Sequence, residues 1–184
     1  MSKMSKKVMV ITGSPRKNGN SFAMTDAFVN AAKLKGHIVT RFDAAMKNIG
    51  GCHACETCYS TGKACSFDDD FNTIADDILN ADVIVFSTPV YWYSIPAQIK
   101  GVIDKIFSFV IGGKDISGKQ CILITCCEED DISVMDGVRI PIERSAELNK
   151  WKILGELLVP GVLNIGDIKN TDGCKKAAAL ADLI

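Results

Sequence analysis

Four cysteines, Cys52, Cys55, Cys58 and Cys65, crowd fourteen positions of the stretch GGCHACETCYSTGKACSFDDDF. Thiols in C-x2-C-x2-C-x6-C spacing are soft ligands, and three chemistries compete for them. Zinc takes four tetrahedral ligands, commonly as two separated C-x2-C pairs, which a continuous x2 run satisfies less comfortably. A cubane cluster of iron and sulfide accepts such a run readily, with Cys65 as the nearby fourth ligand. The third reading is a set of free thiols. His53 lies inside the run, where it is either a metal ligand or an exposed loop residue. Gly51 and Gly62 would let the backbone turn tightly around a bound group.

A second stretch able to do chemistry is GSPRKNGNS (13–21), between a strand-like run and a helix-period run. Backbone N–H groups at a helix start, with the positive end of its dipole, suit an anion. Ser14, Asn20 and Ser21 add neutral donors, and Arg16 adds a charge. Neither G-x-x-x-x-G-K-[ST] nor G-x-G-x-x-G is present, so a monophosphate fits better than a nucleoside triphosphate or a dinucleotide. The plain alternative is a polar turn with a capping serine.

The elements that must position these stretches alternate along the chain. KVMVITGS (7–14), HIVTRFDAA (37–45), ADVIVFSTPV (81–90), QCILITCC (120–127) and VLNIGDI (162–168) read as strands. Helical spacing marks Met24, Ala27, Phe28 and Ala31, then Phe71, Ile74, Ala75, Ile78 and Leu79, with the acidic DDDF run favouring a helix start. A helix opened by Pro96 carries Ile99, Val102, Ile103, Ile106 and Phe107 inward. Another is expected around Leu148, Trp151 and Leu158, and a last one at Ala177, Ala178 and Ala181. Five strands separated by helices predict an α/β fold, a parallel sheet with helices on both faces. Ligands in such sheets bind beyond the carboxyl ends of the strands, where strand order reverses.

GSPRKNGNS after the first strand, PVYWYSIPAQIKGVIDK (89–105) after the third and the compact cysteine run together resemble the flavodoxin-fold NAD(P)H-dependent FMN reductases, especially their iron–sulfur flavoprotein branch. The resemblance is close over the first 105 or so residues and extends further only in strand–helix order. It implies a doubly wound five-stranded sheet of order 2-1-3-4-5. It also implies FMN, with the phosphate held at Ser14, Arg16, Asn18, Asn20 and Ser21, and the ring lined by Pro89, Val90, Tyr91, Trp92 and Tyr93. A flat ring needs an apolar wall and backbone polar groups, which a loop at a strand end supplies. Three consecutive aromatic residues cannot all point into a core. For Cys52, Cys55, Cys58 and Cys65 the resemblance implies a 4Fe-4S cluster, although related proteins can carry cysteines there as free thiols. It further implies a homodimer or dimer of dimers and NADPH or NADH as a transient co-substrate.

The chain departs from that pattern after the fourth strand, where relatives often have a glycine-containing loop and this sequence has TCCEEDD (125–131). A solvated loop is the expectation; carboxylates near the ring would instead disfavour anionic reduced flavin. Cys121, Cys126, Cys127 and Cys174 read as buried or inert thiols, and the aspartates near Lys105 as partners in surface ion pairs. His37 and His53 are far apart, so no catalytic triad is predicted and no side chain is assigned as catalytic.

Composition sets outer limits. The 184 residues suit one domain over 1–184, with a cysteine-rich insertion at 51–67. Apolar residues at 47% supply a core, and a net charge of -1 draws neither nucleic acid nor an anionic membrane. The opening MSKMSKKVMVITGSPRK imitates a leader, but its apolar run is too short, and no stretch has the length of a membrane helix. The expected location is the cytoplasm, where eight cysteines make a poor disulfide framework. The sequence thus predicts a flavin-dependent oxidoreductase passing electrons from a reduced nicotinamide through FMN to a small acceptor or cluster. Its alternatives are a non-enzymatic electron carrier acting on protein partners and a structural zinc module.

Overall fold

A computed structural model describes residues 4–184; part of the leader-like start therefore lies outside the described residues. The strands are β1 (Lys7–Thr12), β2 (Ile38–Asp43), β3 (Val83–Pro89), β4 (Gln120–Cys126) and β5 (Lys152–Val159). They pair in parallel in the order β2-β1-β3-β4-β5. This is the predicted flavodoxin-like sheet. The helices are α1 (Asn20–Leu34), α2 (Ala75–Asn80), α3 (Ala97–Lys105), α4 (Phe107–Ile111), α5 (Asp136–Leu148) and α6 (Gly173–Leu180).

Strand pleating explains why both faces of the sheet are apolar. Val8, Val10, Val83, Val85, Ile122 and Ile124 point to one face and pack against Met24 and Phe28 of α1 and Ala177 of α6. The alternate residues Met9, Ile11, Ile84, Phe86 and Leu123 point to the other, against Ile78, Ile99, Val102, Phe109, Val138 and Ile142. The nearly unbroken apolar run of β3 is the signature of a strand covered on both sides.

The last third of the chain corrects the sequence reading. Residues 152–159, expected on or near a helix, form edge strand β5, whereas 162–168, expected as a strand, is a loop and a short helical turn. Gly155 and Glu156 interrupt the apolar run of β5, and as an edge strand it is only half-buried, so its period is weak. Trp151 is buried just ahead of it, its indole N–H donating to the Ile116 carbonyl at 2.5 Å. Residues 162–168 carry a deceptive apolar alternation, with Val162 and Ile168 as its buried ends.

The cysteine segment follows β2 and is tied down by its flanks. Asn72 accepts from the Cys65 N–H at 2.8 Å and donates to the Cys65 and Phe67 carbonyls at 3.1 and 2.8 Å. Asp69 caps the turn Asp70–Thr73 through the Phe71 N–H at 3.0 Å and accepts from Gly50 N–H at 3.0 Å. It also pairs with Lys105, both side chains being buried at 7% and 3% exposure. Asp104 does form the expected surface pair, with Lys100; Lys105 does not, because it is drawn inward to Asp69. Tyr59 packs against Gly112, where an added Cβ would stand 2.3 Å from the ring.

Phe71, fully buried between this segment and the sheet, is the apolar counterpart of these polar ties. Phe71→Ala should destabilise the protein by about 3–5 kcal/mol through lost transfer and a residual cavity. Chemical denaturation measures this, and a cost under about 1 kcal/mol would show that the segment packs independently of it.

Candidate functional site

The carboxyl ends of β1, β3 and β4, with the loop beyond β5, enclose a cavity of about 540 Å³. Ser14, Arg16, Asn20 and Ser21 line one side, and Pro89, Val90, Tyr91, Trp92 and Tyr93 another. Nine of the ten predicted cofactor residues therefore meet at one cavity; Asn18 is exposed and does not line it. A volume of this size suits a cofactor.

One end of the cavity holds a helix start among polar residues. The 15-residue α1 begins there with Gly19 at its cap, no capping side chain and no acidic residue in its first turn. Its first N–H groups and positive dipole end are left for a ligand. Ser14 Oγ accepts from the Arg16 N–H at 3.1 Å, which shapes the loop and leaves the hydroxyl proton to donate. Asn20 has a different place from the one its type suggested. Its Nδ2 donates to the Val162 and Asn164 carbonyls at 3.3 and 2.9 Å, and its Oδ1 accepts from the Gly166 and Ile168 N–H groups at 3.1 and 3.3 Å. The amide side chain thus pins the 162–168 loop over the cavity, and what remains of Asn20 for an anion is its backbone N–H.

The opposite wall is a strained two-residue hairpin. Tyr91 and Ser94 exchange both backbone hydrogen bonds at 3.0 Å, and Trp92 and Tyr93 between them have φ of 48° and 59°. Such turns favour Asn-Gly, so two aromatic residues there hold the chain in a conformation that costs free energy. The cost persists because the hairpin is clamped. An added Cβ on Gly137 of α5 would lie 1.7 Å from the Tyr93 carbonyl oxygen. The rings stand outward, with Trp92 95% exposed. They are not core residues, as three consecutive side chains could not be.

The third wall forms after β4, where a solvated loop was the expectation. Cys126, Cys127, Glu128 and Glu129 line the cavity, together with Val134, Val162, Leu163 and Ile165. The acidic loop is therefore divided rather than simply solvated: Asp131 caps a turn through Ser133 N–H at 2.9 Å, while Glu128 and Glu129 face the cavity. A hydrogen bond to Glu129 holds the Tyr93 phenol above its ordinary range, with Glu128 adding to the effect. Burial pushes the Cys121 and Cys126 thiols up to about 12, the inert behaviour expected of them. The Cys127 thiol is also pushed up by burial and donates to the Glu129 carbonyl at 3.2 Å. Cys174 is half-buried, its thiol likewise raised by burial.

Cys52, Cys55, Cys58 and Cys65 all line a second, smaller cavity of about 20 Å³, with buried Lys105 and Ser108 as its inner wall; Phe107, expected to point inward, lines it from an exposed position. The two cavities share no lining residue. Cys52 and Cys55 are exposed, Cys58 is half-buried and Cys65 is buried. Burial pushes the Cys58 thiol up, and Cys65, Cys55 and Cys52 add to this. Thr57, at 3.1 Å from the Cys55 sulfur, lowers that thiol. His53 stacks on Phe67 with centroids 4.4 Å apart, the posture of a loop residue. Among the described residues no three His, Cys, Asp or Glu side chains converge closely enough to grip a single metal ion. The backbone curls through positive φ at Ala54, Glu56, Tyr59 and Gly62; Gly51 plays no such part.

An open parallel sheet with an uncapped helix start and an apolar-aromatic wall at its switch point defines a flavodoxin-like domain. The family model described as flavodoxin-like fold matches residues 6–139. An iron–sulfur flavoprotein of Archaeoglobus fulgidus is 32% identical over 94% of this chain and 80% of its own length. Another, of Methanocaldococcus jannaschii, is 34% identical over 54% of this chain and 50% of its own. In structure, an NAD(P)H:quinone oxidoreductase from Methanothermobacter marburgensis superimposes with a TM-score of 0.76 at 16% identity, over 97% of this chain and 95% of that one. The chain belongs to the flavodoxin-like family that this family model describes, with iron–sulfur flavoproteins among its relatives.

Two outcomes follow from this geometry. Asn20→Ala should speed hydrogen exchange at the Gly166 and Ile168 amides by roughly fivefold, since a lost local hydrogen bond is worth about 1 kcal/mol. Unchanged exchange would remove Asn20 from the loop's support. With metal stripped and disulfides reduced, iodoacetamide at pH 8 should modify exposed Cys55 well before buried Cys121 and Cys126, as peptide mapping would show.

Proposed function

We propose that the chain is an FMN-dependent oxidoreductase that takes electrons from NADPH or NADH and passes them to a small acceptor or to a cluster at its own cysteines. The observation carrying this reading is the 540 Å³ cavity that joins an uncapped helix start and Arg16 to an apolar and aromatic wall. FMN bound there supplies a two-electron acceptor able to release electrons singly. The protein supplies orientation and field. The α1 N-terminus, Ser14, Ser21 and Arg16 hold the phosphate; backbone groups of the 89–93 segment meet the ring edge, and Tyr91, Trp92 and Tyr93 limit access to its face. No acid–base side chain is needed. Residues 1–184 act in this reading as one FMN-binding domain with the cysteine insertion at 51–67.

Trp92 at 95% exposure, with Leu163 and Ile165 exposed at the cavity rim, supports a homodimer in which a second copy covers the flavin. The absence of any helix long and apolar enough to cross a membrane among the described residues is compatible with work in the cytoplasm.

For the cysteines, the donor chemistry fits a 4Fe-4S cluster: four thiols line one cavity. The enclosed space of 20 Å³ is smaller than a cubane, so holding one requires the exposed segment that carries Cys52 and Cys55 to open. Cys52, Cys55, Cys58 and Cys65 would be its ligands.

The deciding experiment is anaerobic purification followed by a visible spectrum, iron and sulfide analysis, and NAD(P)H oxidation with a quinone acceptor. Flavin bands and turnover are expected, with about four irons per chain for a cubane. Flavin without turnover would make the chain an electron carrier, and zinc without flavin would reduce it to a structural module. In the flavin-loaded protein, Glu128→Gln with Glu129→Gln should raise the flavin potential, because two negative charges facing the cavity no longer oppose the anionic reduced form. The expected shift is on the order of tenfold in the reduced-to-oxidised ratio, about 30 mV for a two-electron couple.

A further inference from the structure

One buried polar group at the cysteine cavity has nothing to bond to. Ser108 of α4 is 3% exposed, and its Oγ is buried without a hydrogen-bond partner among the described residues. A helical serine that lacks another partner ordinarily bonds back to the carbonyl four residues earlier, as Ser145 does to Pro141 at 2.8 Å. Ser108 makes no such bond, and a buried hydroxyl left unpaired is unfavourable. Ser108 lines the same cavity as Cys52, Cys55, Cys58 and Cys65.

Of the other polar side chains at the cavity, His53 and Glu56 lie on its exposed side, and the rest are already engaged. The Lys105 ammonium pairs with the Asp69 carboxylate, so that pair brings no net charge to the cavity. The Thr57 and Ser66 hydroxyls bond each other at 2.6 Å on the exposed side, where water competes for them. Ser108 is left as the dry donor at the inner wall. A neutral thiol accepts a hydrogen bond weakly, whereas a thiolate or sulfide carries negative charge and accepts strongly.

We infer that Ser108 Oγ donates a hydrogen bond to a sulfur of the group held by the four cysteines and so sets how readily that group is reduced. The inference rests on the cluster reading above. One-electron reduction adds a negative charge to the sulfurs, and a donor at short range stabilises the more negative state. Ser108 transfers no proton and breaks no bond; it is a positioning residue whose effect is electrostatic. Its removal should therefore lower the reduction potential while leaving the four ligands in place.

The test is an anaerobic redox titration with dithionite, followed by electron paramagnetic resonance, on the whole protein and on Ser108→Ala and Ser108→Thr. Iron and sulfide are measured on each. Ser108→Ala with unchanged iron and sulfide should reduce at lower potential, by roughly tenfold in the reduced-to-oxidised ratio, about 59 mV for one electron. Ser108→Thr, which keeps a hydroxyl, should remain at the parent value. Loss of iron from Ser108→Ala with retention in Ser108→Thr would also support a donor that the site requires. A parent-like potential in iron-loaded Ser108→Ala would overturn the inference and leave the cluster standing, with a water as the partner of Ser108. A parent protein without iron or sulfide would overturn the cluster reading and the inference together.

Discussion

The reversal of strand order beside β1 is the constraint on which the rest depends. The chain leaves β1 for one face of the sheet through α1 and leaves the neighbouring β3 for the opposite face through α3. Two adjacent strands whose connections part in opposite directions cannot cover the space above their ends. The opening therefore carries the start of α1, with its unpaired N–H groups, facing the hairpin that follows β3. Everything placed at that opening is a loop held by something rigid: Asn20 pins 162–168, and Gly137 admits the Tyr93 carbonyl against α5.

The cysteine segment obeys a different constraint. From 51 to 57 it is exposed, with positive φ at Ala54 and Glu56, and it has little apolar surface of its own to bury. Its order comes from its ends. The Asp69–Lys105 pair, the Asn72 hydrogen bonds and the Tyr59–Gly112 contact fix the part after Cys58 to α3, α4 and the sheet. Removing one partner of a buried ion pair leaves the other charge uncompensated, so Asp69 and Lys105 stand or fall together. The segment is thus rigid where it meets the fold and strained where its first two thiols meet solvent.

The polar loop before α1, the aromatic run after β3 and the cysteine run were legible because each depends on local residue types at short spacing. The strands β1, β3 and β4 were legible for the same reason: their apolar runs are long and their flanks polar. The edge strand β5 was not, since half-burial weakens its pattern and Gly155 and Glu156 break it. Asn20 was rightly placed at the cavity, but its amide serves a loop more than 140 residues away, which no local motif reveals. The acidic residues after β4 looked like solvent-facing charge because a run of carboxylates ordinarily is. Which two of the four turn toward the cavity depends on Asp131 capping the next turn.

The sequence by itself determined the alternation of elements as far as β4, the parallel sheet, the polar loop before α1 and the soft-ligand character of the cysteines. These follow from periodicity, backbone donors and side-chain chemistry within a few residues of one another. Only the tertiary structure decided that the loops after β1, β3 and β4 and the segment beyond β5 share one cavity, and that Lys105 is buried rather than paired at the surface. It alone brought an unpartnered serine of α4 to the cavity of cysteines 43 to 56 positions earlier in the chain. Burial and partnership are properties of packed surfaces, and packing joins residues whose separation along the chain carries no signal.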